Sequence, residues 1–220
     1  MRKFNYFCSF IIVLTVSLFI ITFGQNIAAR TSGTYLFHFN ENRVVNHVIT
    51  NFTNTEMSNA IADCMNSWRP DEFQIYEDTG YDMEGIFDEI DSQNMLNIKF
   101  ALDISLIVCI LSFIISVAII VYFLKNNFKL VLRKRLKVIS ILTTVLIAGE
   151  GFIFFVGKGN DILKMLLDFQ PLAEDSNLKI LLGGEFIPMF GIFTLLYCLV
   201  AFLAVAYFIH FVTRPPRIFY

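Results

Sequence analysis

Four long apolar stretches separated by polar ones dominate this chain of 220 residues. They run over 6–24, 104–124, 138–156 and 186–212. Each has about the length at which a helix crosses a hydrocarbon core of roughly 30 Å. A helix also pairs its own backbone groups, which lipid cannot do. The pattern therefore predicts a mostly α membrane protein, with four transmembrane helices and a small extracytoplasmic α/β cap. The divisions are a first span at 6–24, an extracytoplasmic domain at 25–100, a second span at 101–124 and a basic cytoplasmic loop at 125–137. A third span at 138–156, a second extracytoplasmic loop at 157–185, a fourth span at 186–212 and a cytoplasmic tail at 213–220 complete the chain. The first stretch follows Arg2 and Lys3, as a signal peptide would. Its apolar run is too long for that, and 26–29 fits a cleavage pattern poorly, so an uncleaved anchor is expected.

The polar segments carry their own local patterns. Residues 35–39 and 44–49 have the β-branched and aromatic content of short strands. Thr53, Asn54 and Thr55 offer caps for a helix bearing Ile61, Cys64, Met65 and Trp68 on one face, ended by Arg69-Pro70. A second, acidic helix starts near Asp82 or Asp88 and runs into the second span. Its spacing groups Ile90, Asn94 and Ile98, with Asp91 one turn before Asn94. A cap of this size cannot bury a large core by itself.

Charge gives the spans a direction. The start of the chain, 125–137 and 213–220 contain Arg2, Lys3, Lys125, Lys129, Arg133, Lys134, Arg135, Lys137, Arg214 and Arg217, and no acid. Segments 25–100 and 157–185 contain 17 of the 19 acids. By the positive-inside rule both termini lie in the cytoplasm of a multi-pass protein. With 56% hydrophobic residues and 16% charged ones, a soluble domain is excluded. Of the four cysteines only Cys64 lies outside an apolar stretch, which excludes a disulfide scaffold. There is no zinc-type HExxH, nucleophile elbow or phosphate-cradling glycine loop, so neither metal nor cofactor is expected, nor any nucleic acid partner.

Two carboxyls stand near the outer end of the spans. Glu150 interrupts the third stretch between Gly149 and Gly151, where an ionisable group is costly and points to function. A partly desolvated carboxyl suits a general base; the plainer reading is a structural group, paired with Lys158 or capping a polar contact in the bundle. Glu185 precedes the fourth stretch, after Gly183-Gly184.

At 87–99 the chain reads FDEIDSQNMLNIK. This resembles the Phe-x-Glu-x-Glu-x-x-His-Met-x-Asp-Val-Lys segment of the lipoprotein intramolecular transacylase family, small bacterial four-helix membrane proteins. Phe87, Glu89, Asp91, Met95, Ile98 and Lys99 fall at matching offsets. Met57-Ser58 resembles a family Met-Ser that opens an external helix. The GFIFF run at 151–155 falls where the family reads Phe-His-x-x-Phe-Phe, and LGGEFIPMF at 182–190 resembles the start of its last helix. Topology and length also agree. The chain departs at the residues the family is thought to use for proton transfer: Asn94 and Ile153 stand at the two histidine positions, and Asn97 at the motif aspartate. Neither asparagine nor isoleucine moves a proton at neutral pH.

The resemblance implies acyl transfer within one substrate. An acyl chain leaves the diacylglyceryl group of a bacterial lipoprotein and joins the α-amino group of its N-terminal cysteine. This needs a base, an acid for the glyceryl oxygen and oxyanion donors, but no cofactor. It assigns Glu150, Asn94 and Asp91 to catalysis, Glu185, Glu89 and Lys99 to substrate binding, and membrane lipid and the lipoprotein N-terminus as partners in the bacterial plasma membrane. With both histidine positions changed, the alternative is a catalytically inactive relative that serves as a lipid- or lipoprotein-binding scaffold or accessory subunit. A claudin-like junction protein is remote, since its first external loop would carry paired cysteines.

Overall fold

A computed structural model of the chain describes residues 2–48, 50–68, 73–78 and 82–214. Among them are eight α-helices: α1 (Arg2–Arg30), α2 (Ser32–Asn42), α3 (Asn54–Asn66), α4 (Glu89–Lys125), α5 (Lys129–Phe155), α6 (Gly157–Leu166), α7 (Asn177–Leu182) and α8 (Phe186–Val212). A 3₁₀ turn spans Val44–His47, and β1 (Tyr76–Asp78) pairs antiparallel with β2 (Met83–Gly85). Four helices, α1 from Phe4 onward, α4, α5 and α8, are long and apolar enough to cross a membrane. The expected number of spans thus agrees with the fold. The helices overrun the apolar stretches: α1 continues to Arg30, α4 opens at Glu89 and α5 at Lys129. Most of the basic segment 125–137 is therefore the first turns of α5, after a tight turn in which Asn127 has a left-handed backbone (φ 60°).

The chain divides into two compact units. The first comprises Met1–Gln25, Ser105–Glu150 and Leu195–Tyr220. Its core brings together Ile12, Ile20, Phe123, Leu132, Ile139, Cys198 and Ile209. Its outside is apolar too, with Phe7, Phe10, Ile114, Ile141, Leu203 and Tyr207 exposed. Helices apolar all round are those that lipid surrounds. Two pairs of buried hydroxyls join helices inside this unit: Ser116 Oγ donates to Thr15 Oγ1 at 2.8 Å, and Thr143 Oγ1 to Ser17 Oγ at 3.0 Å.

The second unit comprises Asn26–Ile104 and Gly151–Thr194. Its core gathers Tyr35, Phe39, Met57, Ile61, Phe73, Phe87 and Met95 with Leu178 and Leu181. The last two come from 157–185, so this unit does not build its core from 25–100 alone.

Two strand expectations are corrected. Residues 35–39 lie in α2, and 44–47 form the 3₁₀ turn, with Ile49 outside the described residues. The reason is burial at helical spacing. Thr34, Tyr35, His38 and Phe39 turn inward together, and the Tyr35 hydroxyl donates to the Ala29 carbonyl at 2.6 Å. Tertiary packing outweighs the β preference of aromatic side chains. Among the described residues the only sheet is the short hairpin of β1 and β2, so the cap is chiefly helical. Within it Gln74 donates to the Phe87 carbonyl at 2.7 Å and accepts from the Phe87 amide at 2.9 Å.

The capped helix is found as α3. Thr53 accepts from the Glu56 amide while Glu56 accepts from the Thr53 amide, a reciprocal capping box. Ile61 and Met65 are buried, but Trp68 lies beyond the helix and is 77% exposed; Arg69-Pro70 fall outside the described residues. The acidic helix does run unbroken into the second span as α4. Its buried face is Asp91, Asn94, Met95 and Lys99; Ile90, expected beside Asn94, is exposed.

Candidate functional site

In the first unit, Glu150 projects from α5 into a polar cluster and is 7% exposed. Its Oε1 accepts from Gln25 Nε2, on α1, at 2.6 Å. Gln25 Oε1 accepts in turn from Ser105 Oγ, on α4, at 3.0 Å. Cys198 Sγ, on α8, donates toward Glu150 Oε2 at 3.7 Å. All four spanning helices thus contribute one polar group. Each partner of the carboxyl is neutral, and among the described residues no basic side chain forms an ion pair with it. The side chain of Lys158, the sequence-level alternative partner, lies outside the described residues. A carboxyl held by an amide and a thiol keeps lone pairs available for a proton, which is the chemical requirement on a general base.

The remaining sequence-nominated residues belong to the second unit. Asn94 is fully buried on α4, and both ends of its amide are engaged. Its Nδ2 donates to the Gln170 carbonyl at 3.0 Å, and its Oδ1 accepts from the Gln170 amide at 2.7 Å. One turn earlier, buried Asp91 accepts from Ser176 Oγ at 2.6 Å and from the Leu178 amide at 3.0 Å. The second bond satisfies a donor in the first turn of α7, where a negative charge is favourable. One turn after Asn94, Asn97 donates to the Asp168 carbonyl at 3.3 Å. The motif helix therefore pins residues 168–178 at three points. Asp91 also lines a shallow surface depression with Asp88, Asp175, Ser176 and Asn177.

Lys99 is 2% exposed and donates to the Met65 carbonyl at 3.3 Å and to Asp103 at 3.1 Å. Arg30 reaches the same two acceptors. The buried cation is retained here because the Asp103 carboxylate and the Met65 carbonyl both accept from it. Glu89 is exposed in the first turn of α4. Glu185 is also exposed, just before α8.

Sequence reasoning also missed the surroundings of His38. His38, on α2, is 2% exposed and stands edge-on to Phe186, with ring centroids 5.3 Å apart. Asn42 Nδ2 lies 3.0 Å from His38 Nδ1, while among the described residues Nε2 makes no hydrogen bond. Burial holds the imidazole below its usual pKa; the Leu181 carbonyl and the Glu185 carboxylate act in the opposite direction but more weakly. Gln25, Ser105 and Cys198 were missed as well. Gln25 could have been flagged as the first strongly polar side chain after the 6–24 stretch. Cys198 gave no signal, since a thiol in an apolar run reads as a filler.

The solved structures that share this fold include an in meso structure of the membrane integral lipoprotein intramolecular transacylase Lit from Bacillus cereus. The likeness covers 96% of this chain and 97% of that one, with a TM-score of 0.77 and 13% identity. A structure of the same transacylase with a histidine-to-arginine mutation matches at a TM-score of 0.74 and 12% identity, over 96% of this chain and 92% of that one. The fold is thus that of the transacylase from end to end. No family model and no curated protein matches the sequence.

Proposed function

We propose that this chain acts as a lipoprotein intramolecular transacylase in a bacterial plasma membrane. The observation that carries the reading is the whole-chain likeness to a membrane transacylase, joined to a buried carboxyl on a spanning helix with only neutral partners. In the proposed reaction the α-ammonium of a lipoprotein's N-terminal cysteine gives a proton to Glu150. The free amine attacks one ester carbonyl of the diacylglyceryl group. An amide forms and the ester C–O bond breaks; Glu150 passes its proton to the departing glyceryl oxygen, then takes the second proton from the amine nitrogen and releases it to water. Counted in its free-amine form, the substrate is an isomer of the product.

Asn94 and Asp91 take part in this reading as positioning residues, because their hydrogen bonds go to residues 168–178. Lys99 likewise orders the network around Asp103, while Glu185 and Glu89 remain exposed for the substrate's polar end. The boundaries deduced from the apolar stretches, and the cytoplasmic placement of both termini, belong to the same proposal. Tandem mass spectrometry of lipoprotein N-terminal peptides tests it, in cells that lack other N-acylating activity. Cells expressing the chain should carry an amide-linked acyl chain on the cysteine; free amines in both cultures would refute the activity.

One observation favours a second reading, a non-catalytic relative that binds lipid or lipoprotein. Both ends of the Asn94 amide are spent on Gln170, and Ile153 offers no polar atom, so neither family histidine position can act on a substrate. Stable capture of a diacylated lipopeptide without acyl migration would select it.

A further inference from the structure

The segment that follows the third span does not continue along it. In a straight α-helix seven residues advance about 10.5 Å. Here a Cβ built on Gly159 would lie 2.3 Å from the Phe152 carbonyl oxygen and 2.7 Å from Ile153 Cα. The chain therefore doubles sharply at Val156, and α6 departs from the axis of α5 through a contact that only glycine permits. The Gly159 amide donates to the Val156 carbonyl at 2.7 Å, which closes the bend.

Beyond the bend α6 presents an unpaired apolar face. Ile162, Met165 and Leu166 share one side by the i, i+3, i+4 rule and are 46%, 84% and 73% exposed. Lys164 is exposed on the opposite side, and Asp161, one turn before Met165, is exposed at the flank. On the near side of the bend Phe152, Phe155 and Val156 are also exposed, on and just past the end of a helix apolar and long enough to span. The apolar surface thus continues from the spanning helix onto α6 while the helix direction changes.

We propose that α6 is an interfacial helix, seated with Ile162, Met165 and Leu166 in the headgroup–acyl boundary of the outer leaflet. An amphipathic helix lying in the membrane plane buries such a face in lipid while its charged side stays wet. The seat has a structural consequence for the segment behind it. Residues 168–178 are held along their length, by Asn97 at Asp168, Asn94 at Gln170 and Asp91 at Ser176 and Leu178. With α6 in lipid, the helix that leads into this segment is seated at the surface while the segment itself is tied to the motif helix. The outer-leaflet placement rests on the orientation proposed above; contact with lipid does not.

Quenching by brominated phosphatidylcholine tests this on the full chain in vesicles. The single native tryptophan, Trp68, is first replaced (Trp68→Phe), and Met165→Trp is added as the reporter. Leu166→Trp is an independent second reporter, and Lys164→Trp the polar-face control. Both apolar-face reporters should be quenched, more by bromines near the carbonyl end of the acyl chains than by bromines at the tail; the control should not. Apolar-face reporters that respond no more than the control would overturn the proposal. So would reporters shielded from aqueous quencher only as protein density in the vesicles rises, which would assign the face to a second copy. Lipoprotein acylation is not the readout, so loss of that activity leaves this result independent.

Discussion

Glu150 in the first unit and Asp103 in the second are both carboxyl groups on long apolar helices, yet they are held in different ways. Glu150 is met by Gln25 and Cys198, with Ser105 behind Gln25. Asp103 is met by Lys99 and Arg30 over a shared carbonyl. The ion cluster stiffens its surroundings, because removing one partner strands buried charge. The neutral cluster does not depend on charge, and a proton can come or go at its centre without breaking an ion pair. The difference separates a carboxyl that serves the architecture from one available for chemistry.

The sharpest test of that contrast is a pair of matched amides. Asp103→Asn leaves Lys99 buried without its carboxylate and should cost about 3 kcal/mol, seen as a lowered thermal midpoint in detergent. Glu150→Gln keeps shape and an acceptor for Gln25, and should cost less than about 1 kcal/mol. Equal losses would erase the distinction. Next in size is Asn94→Leu, which orphans both backbone groups of Gln170 and should cost about 2 kcal/mol. Hydrogen exchange should then speed up over residues 168–178; unchanged protection there would remove Asn94 from its positioning role.

A smaller effect concerns pH. His38 is held below its usual pKa, so the folded protein disfavours the imidazolium. Its contribution to stability is full above the ordinary histidine pKa and is lost as pH falls through the depressed one. The thermal midpoint should therefore drop on acidification below about pH 6.5, the unperturbed histidine value, and His38→Phe should flatten that part of the profile. An identical slope in the variant would show that another group is responsible. The least effect belongs to the first unit's neutral pairs. Ser116→Ala removes the bond to Thr15 and should cost about 0.6 kcal/mol, the usual worth of a hydrogen bond between spanning helices. A loss as large as that of Asp103→Asn would mean that neutral and ionic contacts carry equal weight.

The spans were legible because lipid imposes a long, uniform pattern: α8 coincides with the stretch read at 186–212. Thr53 and Glu56 announced α3 through local chemistry alone. Residues 35–39 misled because their identity suits a strand while their burial follows a helix, and burial depends on partners such as Phe186 far along the chain. The site divided along the same line. Glu150 declared itself by being charged where charge is costly. Its partners came from three other helices, and no spacing within one segment predicts such a meeting. Asn94 and Asp91 were nominated by a motif, but their bonds to Gln170, Ser176 and Leu178 depend on contacts across more than seventy positions of chain. The bend at Val156 was illegible for the same reason, since Gly159 shows its purpose only against the Phe152 carbonyl.

The central claim is that Glu150 serves acyl migration within a lipoprotein. Purified protein in vesicles, incubated with a synthetic diacylglyceryl-cysteine peptide, tests it by tandem mass spectrometry. The native chain should convert the peptide to an isomer of unchanged intact mass, with one acyl chain on the amine and a lyso-glyceryl group on sulfur, while folded Glu150→Gln should leave it unconverted. An unchanged peptide with the native chain, or full conversion by Glu150→Gln, would contradict the account.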